Sequence, residues 1–124
     1  MAWYGLAYAR IYEVIGQKKF LSLSKQIFDW VWKEGWDTDV CGGGVWFDQT
    51  HVGKQTIENV QMFQLGNKLA RLLNKAEYSE KANTVWKWIN KVNIINMTTH
   101  QVRTTIIIIA RERSPISFRR CTMA

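Results

Sequence analysis

A helical-hairpin pattern that occurs twice constrains this chain more than any other feature. Ala2 to Ile15 is an almost unbroken apolar and aromatic run, which predicts a helix buried on more than one side. Gly16 is placed to stop it, and Lys18-Lys19 supply a polar turn. A second helix is predicted from about Phe20 to Lys33. Phe20, Leu23, Ile27, Trp30 and Val31 recur there at spacings of three and four, with Ser22, Lys25, Gln26 and Asp29 on the other face. A third helix is predicted from about Thr56 to Lys75, on a stripe of Met62, Leu65, Leu69, Leu72 and Ala76. A fourth runs from Glu77 or Tyr78 to about Asn90, with Tyr78, Ala82, Val85 and Ile89 aligned. Ala9-Arg10-Ile11-Tyr12 matches Ala70-Arg71-Leu72-Leu73 at an offset of 61. Phe20, Ser24, Ile27, Phe28 and Trp30 match Tyr78, Ala82, Val85, Trp86 and Trp88 at an offset of 58. The second hairpin is therefore expected to have a turn three residues shorter.

A repeated helical hairpin implies an all-α solenoid or α/α toroid. Two hairpins cannot close a ring and would leave apolar inner faces without partners. The expectation is thus a fragment of a larger barrel, marginal in isolation and prone to self-association through exposed apolar faces. Between the hairpins, Gly35 to Lys54 has no helical period. Three consecutive glycines, Gly42, Gly43 and Gly44, precede Val45-Trp46-Phe47, and short β-hairpin strands are expected around Cys41 and Val45 to Phe47.

Charge and composition narrow the function. The net charge is +7, but Arg103 to Ala124 carries five arginines against one acid and so supplies +4 of it. With no nucleic-acid motif beside that tail, a nucleic-acid partner is not expected, and a small basic adaptor ranks last among the readings. Cys41 and Cys121 do not make a disulfide framework, and no Cys/His spacing suggests a metal, so neither metal nor cofactor is expected. His51 and His100 are isolated. Met1 to Leu6 lacks the basic start and apolar stretch of a signal peptide, and Ile106 to Ile109 is too short to span a membrane. That isoleucine run is β-prone, with an edge strand or an aggregation site as its alternatives. Asn96-Met97-Thr98 is a weak glycosylation sequon. The seven tryptophans are the unusual inventory, since indole faces serve both cores and sugar-stacking surfaces.

Met1-Ala2-Trp3-Tyr4-Gly5-Leu6-Ala7, Tyr12-Glu13-Val14 and Phe20-Leu21 resemble a segment of glycoside hydrolase family 76. So do Gly35-Trp36-Asp37, Cys41-Gly42-Gly43-Gly44-Val45-Trp46-Phe47, and Lys54 with Ile57-Glu58-Asn59. The resemblance covers residues 1–102, taken as a partial domain of that family, with 103–124 as an unrelated, irregular basic tail. It implies a partial (α/α)6 toroid and an endo-acting α-1,6-mannosidase, with α-mannan or mannose oligosaccharides as partners. Complete members are secreted or at the cell surface, which leaves the location of this chain open. The family's adjacent aspartate pair stands just before the Met-Ala-Trp stretch, and this chain begins at Met1. A retaining glycosidase needs two carboxyl groups about 5–5.5 Å apart. Without the pair, no residue is expected to be catalytic and the chain is expected to be inactive.

Asp37, Asp39, Asp48 and Glu58 read as turn, helix-start or hydrogen-bonding residues and are not promoted to catalysis. The residues expected to contact sugar are Trp3, Gly43, Gly44, Trp46 and Asn59: glycines for backbone approach, Trp46 for stacking, Asn59 for a polar contact. The alternatives to a truncated glycosidase are a non-catalytic carbohydrate-binding module and a non-functional gene-model product.

Overall fold

A computed structural model describes residues 1–103, 105–107 and 122–123. Four helices dominate: α1 (Ala2–Ile15), α2 (Lys18–Gly35), α3 (Thr56–Leu73) and α4 (Ala76–Lys91). Three short strands, β1 (Gly53–Gln55), β2 (Thr105–Ile107) and β3 (Thr122–Met123), form an antiparallel sheet in the order β1-β2-β3. Lys54 pairs with Ile106 and Ile107 with Thr122 in that sheet. Residues 105–107 are thus a strand, where an irregular tail was expected. β-branched Thr105, Ile106 and Ile107 find backbone partners in Gly53–Gln55. β2 is also the middle strand, so the edge-strand expectation does not hold for Ile106 and Ile107. Ile108, Ile109 and the arginines at 111, 113, 119 and 120 lie outside the described residues.

The two hairpins are built alike. α1 ends at Gly16 in the left-handed conformation (φ 77°), its N–H donating to the Tyr12 carbonyl. α3 ends in the same way at Asn74 (φ 53°), whose N–H donates to the Ala70 carbonyl. Both connections are two residues long, Gly16-Gln17 and Asn74-Lys75. The three-residue difference in repeat offset therefore comes from an earlier end of α3, not from a shorter turn. Where the hairpin helices approach most closely, the repeat is visible in atoms. Ser24 donates its hydroxyl to the Gly5 carbonyl at 2.7 Å. A Cβ on Gly66 would stand 2.9 Å from that of Ala82 and 2.8 Å from the Tyr78 carbonyl oxygen. Gly5 and Gly66 are 61 residues apart, and Ser24 and Ala82 are 58 apart.

α3 is the central helix. It packs on α1, α2 and α4 and buries Met62, Leu65 and Leu69 of the expected stripe, whereas Leu72 is half-buried and Ala76 is exposed at the start of α4. α4 buries Tyr78, Ala82, Val85 and Ile89, again as expected, with Trp88 added. The inward face of α2 is shifted from the expected stripe: Val31 is buried and Ile27 packs on the core as expected, Leu21, Ser24 and Phe28 are buried too, and Leu23 and Trp30 are exposed. Ser24 breaks the apolar pattern on the true inner face, and its bond to Gly5 lets a polar group sit there without loss. Phe28 anchors a ring series, edge-on to Tyr78 at 5.3 Å and parallel to Trp32, which stacks on Trp36 at 4.8 Å. Glu13 ties α1 to α3 through Lys68 at 2.8 Å. No helix among the described residues is long and apolar enough to cross a membrane.

Candidate functional site

Residues 36–52 join α2 to β1, and four neighbouring elements fix their path. Gly35 accepts from the Trp46 N–H, and Asp37 donates its N–H to the Gly44 carbonyl, both at 3.0 Å. The expected pair of strands reduces to an isolated antiparallel bridge between Trp36 and Val45. Gly44 has φ 96°, and a Cβ there would lie 2.6 Å from the Trp88 ring, so both backbone angle and space require glycine. Gly43 packs on the same indole, whose Nε1–H donates to the Cys41 carbonyl at 2.9 Å. Asn59 is fully buried. Its Oδ1 accepts from Val45 N–H at 2.7 Å, and its Nδ2 donates to the Val45 and Gln55 carbonyls, so one amide side chain acts as a pairing strand for Val45.

Lys54 is the hub. Its side chain is 0% exposed, and Nζ donates to the Gly43 carbonyl at 2.6 Å, the Val40 carbonyl at 2.7 Å and Asp37 Oδ2 at 2.9 Å. The Asp37 carbonyl lies at 3.1 Å, and the ammonium sits 4.6 Å from the centre of the Trp46 ring. Burial pushes the Lys54 pKa down from its ordinary value, and Asp37 partly offsets this. Burial pushes Asp37 up, but the Lys54 ammonium and the Val40 N–H together hold its carboxyl below the usual range.

The loop closes over a cleft of about 500 Å³ against α2 and the starts of α1 and α3. Aromatic groups Trp30, Trp46, Phe47 and His51 line it together with Glu34, Asp48 and Glu58. A smaller recess of about 240 Å³ shares Glu34, Trp46 and His51 and adds Asp37 and Asp39. Glu58, buried in the first turn of α3, accepts the Ala2 N–H at 3.1 Å and so caps the start of α1. Asp48 is held below the ordinary carboxylate range by the Thr50 hydroxyl and N–H in an exposed turn. Among the described residues no three side chains are grouped to hold a metal.

Of the five residues expected to contact sugar, Trp46 lines the cleft. Gly43, Gly44 and Asn59 are buried in the packing and hydrogen bonding of the loop, and Trp3 stacks on Tyr4 on the exposed side of α1. Trp30 and His51 also line the cleft, although apolar spacing puts Trp30 on the buried stripe of α2 and His51 stands alone in the sequence. His51 stands three residues after Asp48, a turn-forming spacing that could have drawn attention to it.

The sequence matches the model of glycosyl hydrolase family 76 over residues 1–110. The chain belongs to that family. The match runs past Val102, the boundary expected from the motifs. Mannan endo-1,6-alpha-mannosidase DCW1 of Saccharomyces cerevisiae is 33% identical over 72 residues, which are 53% of this chain and 16% of that protein. The chain spans about a fifth or less of the length of the curated relatives it matches. A family 76 glycoside hydrolase from a bovine Bacteroides thetaiotaomicron strain superposes with a TM-score of 0.78 at 24% identity, covering 88% of this chain and 23% of that one. An inactive alpha-1,6-mannanase of Salegentibacter sp. HEL1_6, with two consecutive aspartates replaced and alpha-1,6-mannotetrose bound, gives 0.80 at 19% identity. That pairing covers 98% of this chain and 33% of the other. The family 76 fold is thus present in part, as two hairpins of an (α/α)6 toroid.

Proposed function

We propose that this chain forms part of the substrate cleft of an endo-acting α-1,6-mannan hydrolase. On this reading, residues 1–124 bind α-1,6-mannose oligosaccharides without hydrolysing them. The carrying observation is the cleft itself, where Trp30, Trp46 and Phe47 meet Glu34 and Asp48. Rings stack on the apolar faces of pyranoses, and carboxylates accept from hydroxyls. Hydrolysis is left out because the sequence contains no two adjacent aspartates. Glu58 does not replace one of them, since its carboxylate is taken up by the start of α1. The names of the relatives, mannan endo-1,6-alpha-mannosidases, supply the linkage and the sugar.

Titration with α-1,6-mannotriose, followed by calorimetry and tryptophan fluorescence, tests the reading. Millimolar binding is expected, with no reducing ends released from α-1,6-mannan. Trp30 is 43% exposed, so Trp30→Ala keeps the fold, and it should weaken binding about fivefold to tenfold. Trp86, exposed on α4 and not a lining residue of the cleft, is the control whose replacement leaves affinity unchanged. No heat and no fluorescence change at millimolar sugar from a folded chain would sink the proposal.

Self-association belongs to the same reading. α1 exposes Trp3, Tyr4, Val14 and Ile15, and α3 exposes Ile57. Sedimentation velocity is expected to show concentration-dependent association, reduced by a Trp3→Ser/Val14→Ser double variant. A monodisperse monomer across the concentration range would contradict it.

A further inference from the structure

Trp46 borders both cavities yet is only 7% exposed. The His51 imidazole lies parallel to the indole, with ring centres 4.9 Å apart and planes at 7°. Buried Lys54 approaches the same indole from the interior, whereas His51 comes from the solvent side. His51 sits on an exposed turn, where Asp48 accepts from the N–H of Thr50 at 2.9 Å and of His51 at 3.4 Å. Its own φ is 53°. Among the described residues, no hydrogen bond holds the imidazole ring in place. The stack is therefore the contact that orients it, and stacked ring pairs are weak enough to exchange.

We propose that His51 is a specificity-determining residue of the cleft. Its imidazole occupies the stacking face of Trp46 as an internal guest, and a sugar ring reaches that face only by displacing it. The proposal rests on the carbohydrate reading above. It adds a selection rule. A ligand with a flat, apolar ring face replaces the imidazole like for like and regains the contact that is lost. A linear polyol carries the same hydroxyls but no ring face, so it leaves His51 in place. The displaced ring swings out on a turn already in solvent, so the helices need not move.

The chain contains two histidines, His51 and His100, so its aromatic proton–carbon NMR spectrum resolves both. His51→Gly assigns the signals and suits the left-handed turn angle. In the free chain, the His51 ring protons should lie upfield of those of His100 through the indole ring current. Saturating α-1,6-mannotriose should return them to the unstacked position, and mannitol should not. His51→Gly should bind the trisaccharide about two- to tenfold more tightly, because no imidazole has to leave. Unshifted His51 signals in the free chain would overturn the proposal, as would a shift that persists at saturation. Equal or weaker binding by His51→Gly would overturn it too. An intact upfield shift, with neither chain perturbed by the trisaccharide, would instead refute the carbohydrate reading and remove the guest on which the proposal depends.

Discussion

A Lys54→Met variant is expected to lose roughly 3–5 kcal/mol of unfolding free energy, the usual cost of removing one member of a buried ion pair. The methionine fills the volume of the lysine stem. It leaves the Val40 and Gly43 carbonyls without their donor and the Asp37 carboxylate without its counter-charge. Urea unfolding at low micromolar concentration measures the loss. Because few domains have more than about 5–15 kcal/mol to lose, the variant should be largely unfolded well before the parent. A loss near that of an average surface substitution would show that the loop's other contacts, Asn59 and the Trp88 bond to Cys41 among them, hold it without the lysine. The same contact makes stability depend on pH. The Asp37 carboxyl is held below its ordinary value of 3.8, so its contribution is complete above that pH and is lost as pH falls through the lowered value. Lys54 acts in the opposite range. Its buried ammonium costs stability below its depressed pKa, and that cost is relieved as pH rises toward 10.5. The midpoint in urea should therefore drop between pH 7 and pH 3, and the drop should shrink in Asp37→Asn.

Phe28→Ala is expected to cost about 3–5 kcal/mol, and Leu23→Ala well under 1 kcal/mol. Phe28 is fully buried and meets both Tyr78 and Trp32, so its removal opens a cavity where α2, α3 and α4 converge. Leu23 is 38% exposed. The pair of variants decides which face of α2 points inward, because the spacing of apolar residues alone selects Leu23. Comparable losses at the two positions would mean that the helix is rotated so that Leu23 also faces the core.

That contrast marks how far the sequence could be read. The end of α1 was legible because Gly16 is needed in a left-handed cap, a requirement local to one residue. The stripes of α4 and of α3 from Met62 to Leu69 are legible because small and apolar residues keep their period there, whereas the first turn of α3 buries Thr56, Glu58 and Asn59. α2 is legible only in part: Ile27 and Val31 face the core as their spacing predicts, but the inner face also includes Ser24, while Leu23 and Trp30 extend the apolar pattern on the outside. Period cannot show that the Ser24 hydroxyl finds a carbonyl on another helix. The site was less legible than the helices. Gly43, Gly44 and Trp46 announce a special loop, but Lys54 looks like any surface lysine until three carbonyls converge on it. Asn59 likewise reads as a cleft residue until Val45 uses both its donor and its acceptor. Such roles depend on partners 11 to 17 residues away in the chain, brought together by loop closure rather than by any repeat.

The Lys54 ammonium grips the loop mostly by main-chain oxygens, and a carbonyl is the same whichever side chain its residue bears. Tolerance to sequence drift follows. Exposed Thr38 can be exchanged without touching the anchor itself, whereas Val40 is held by its buried side chain as well as by its carbonyl. A side chain can change at such an exposed position while the helical frame beneath keeps its contacts. One buried lysine thereby ties the path of the loop to its main chain rather than to the identity of its exposed side chains.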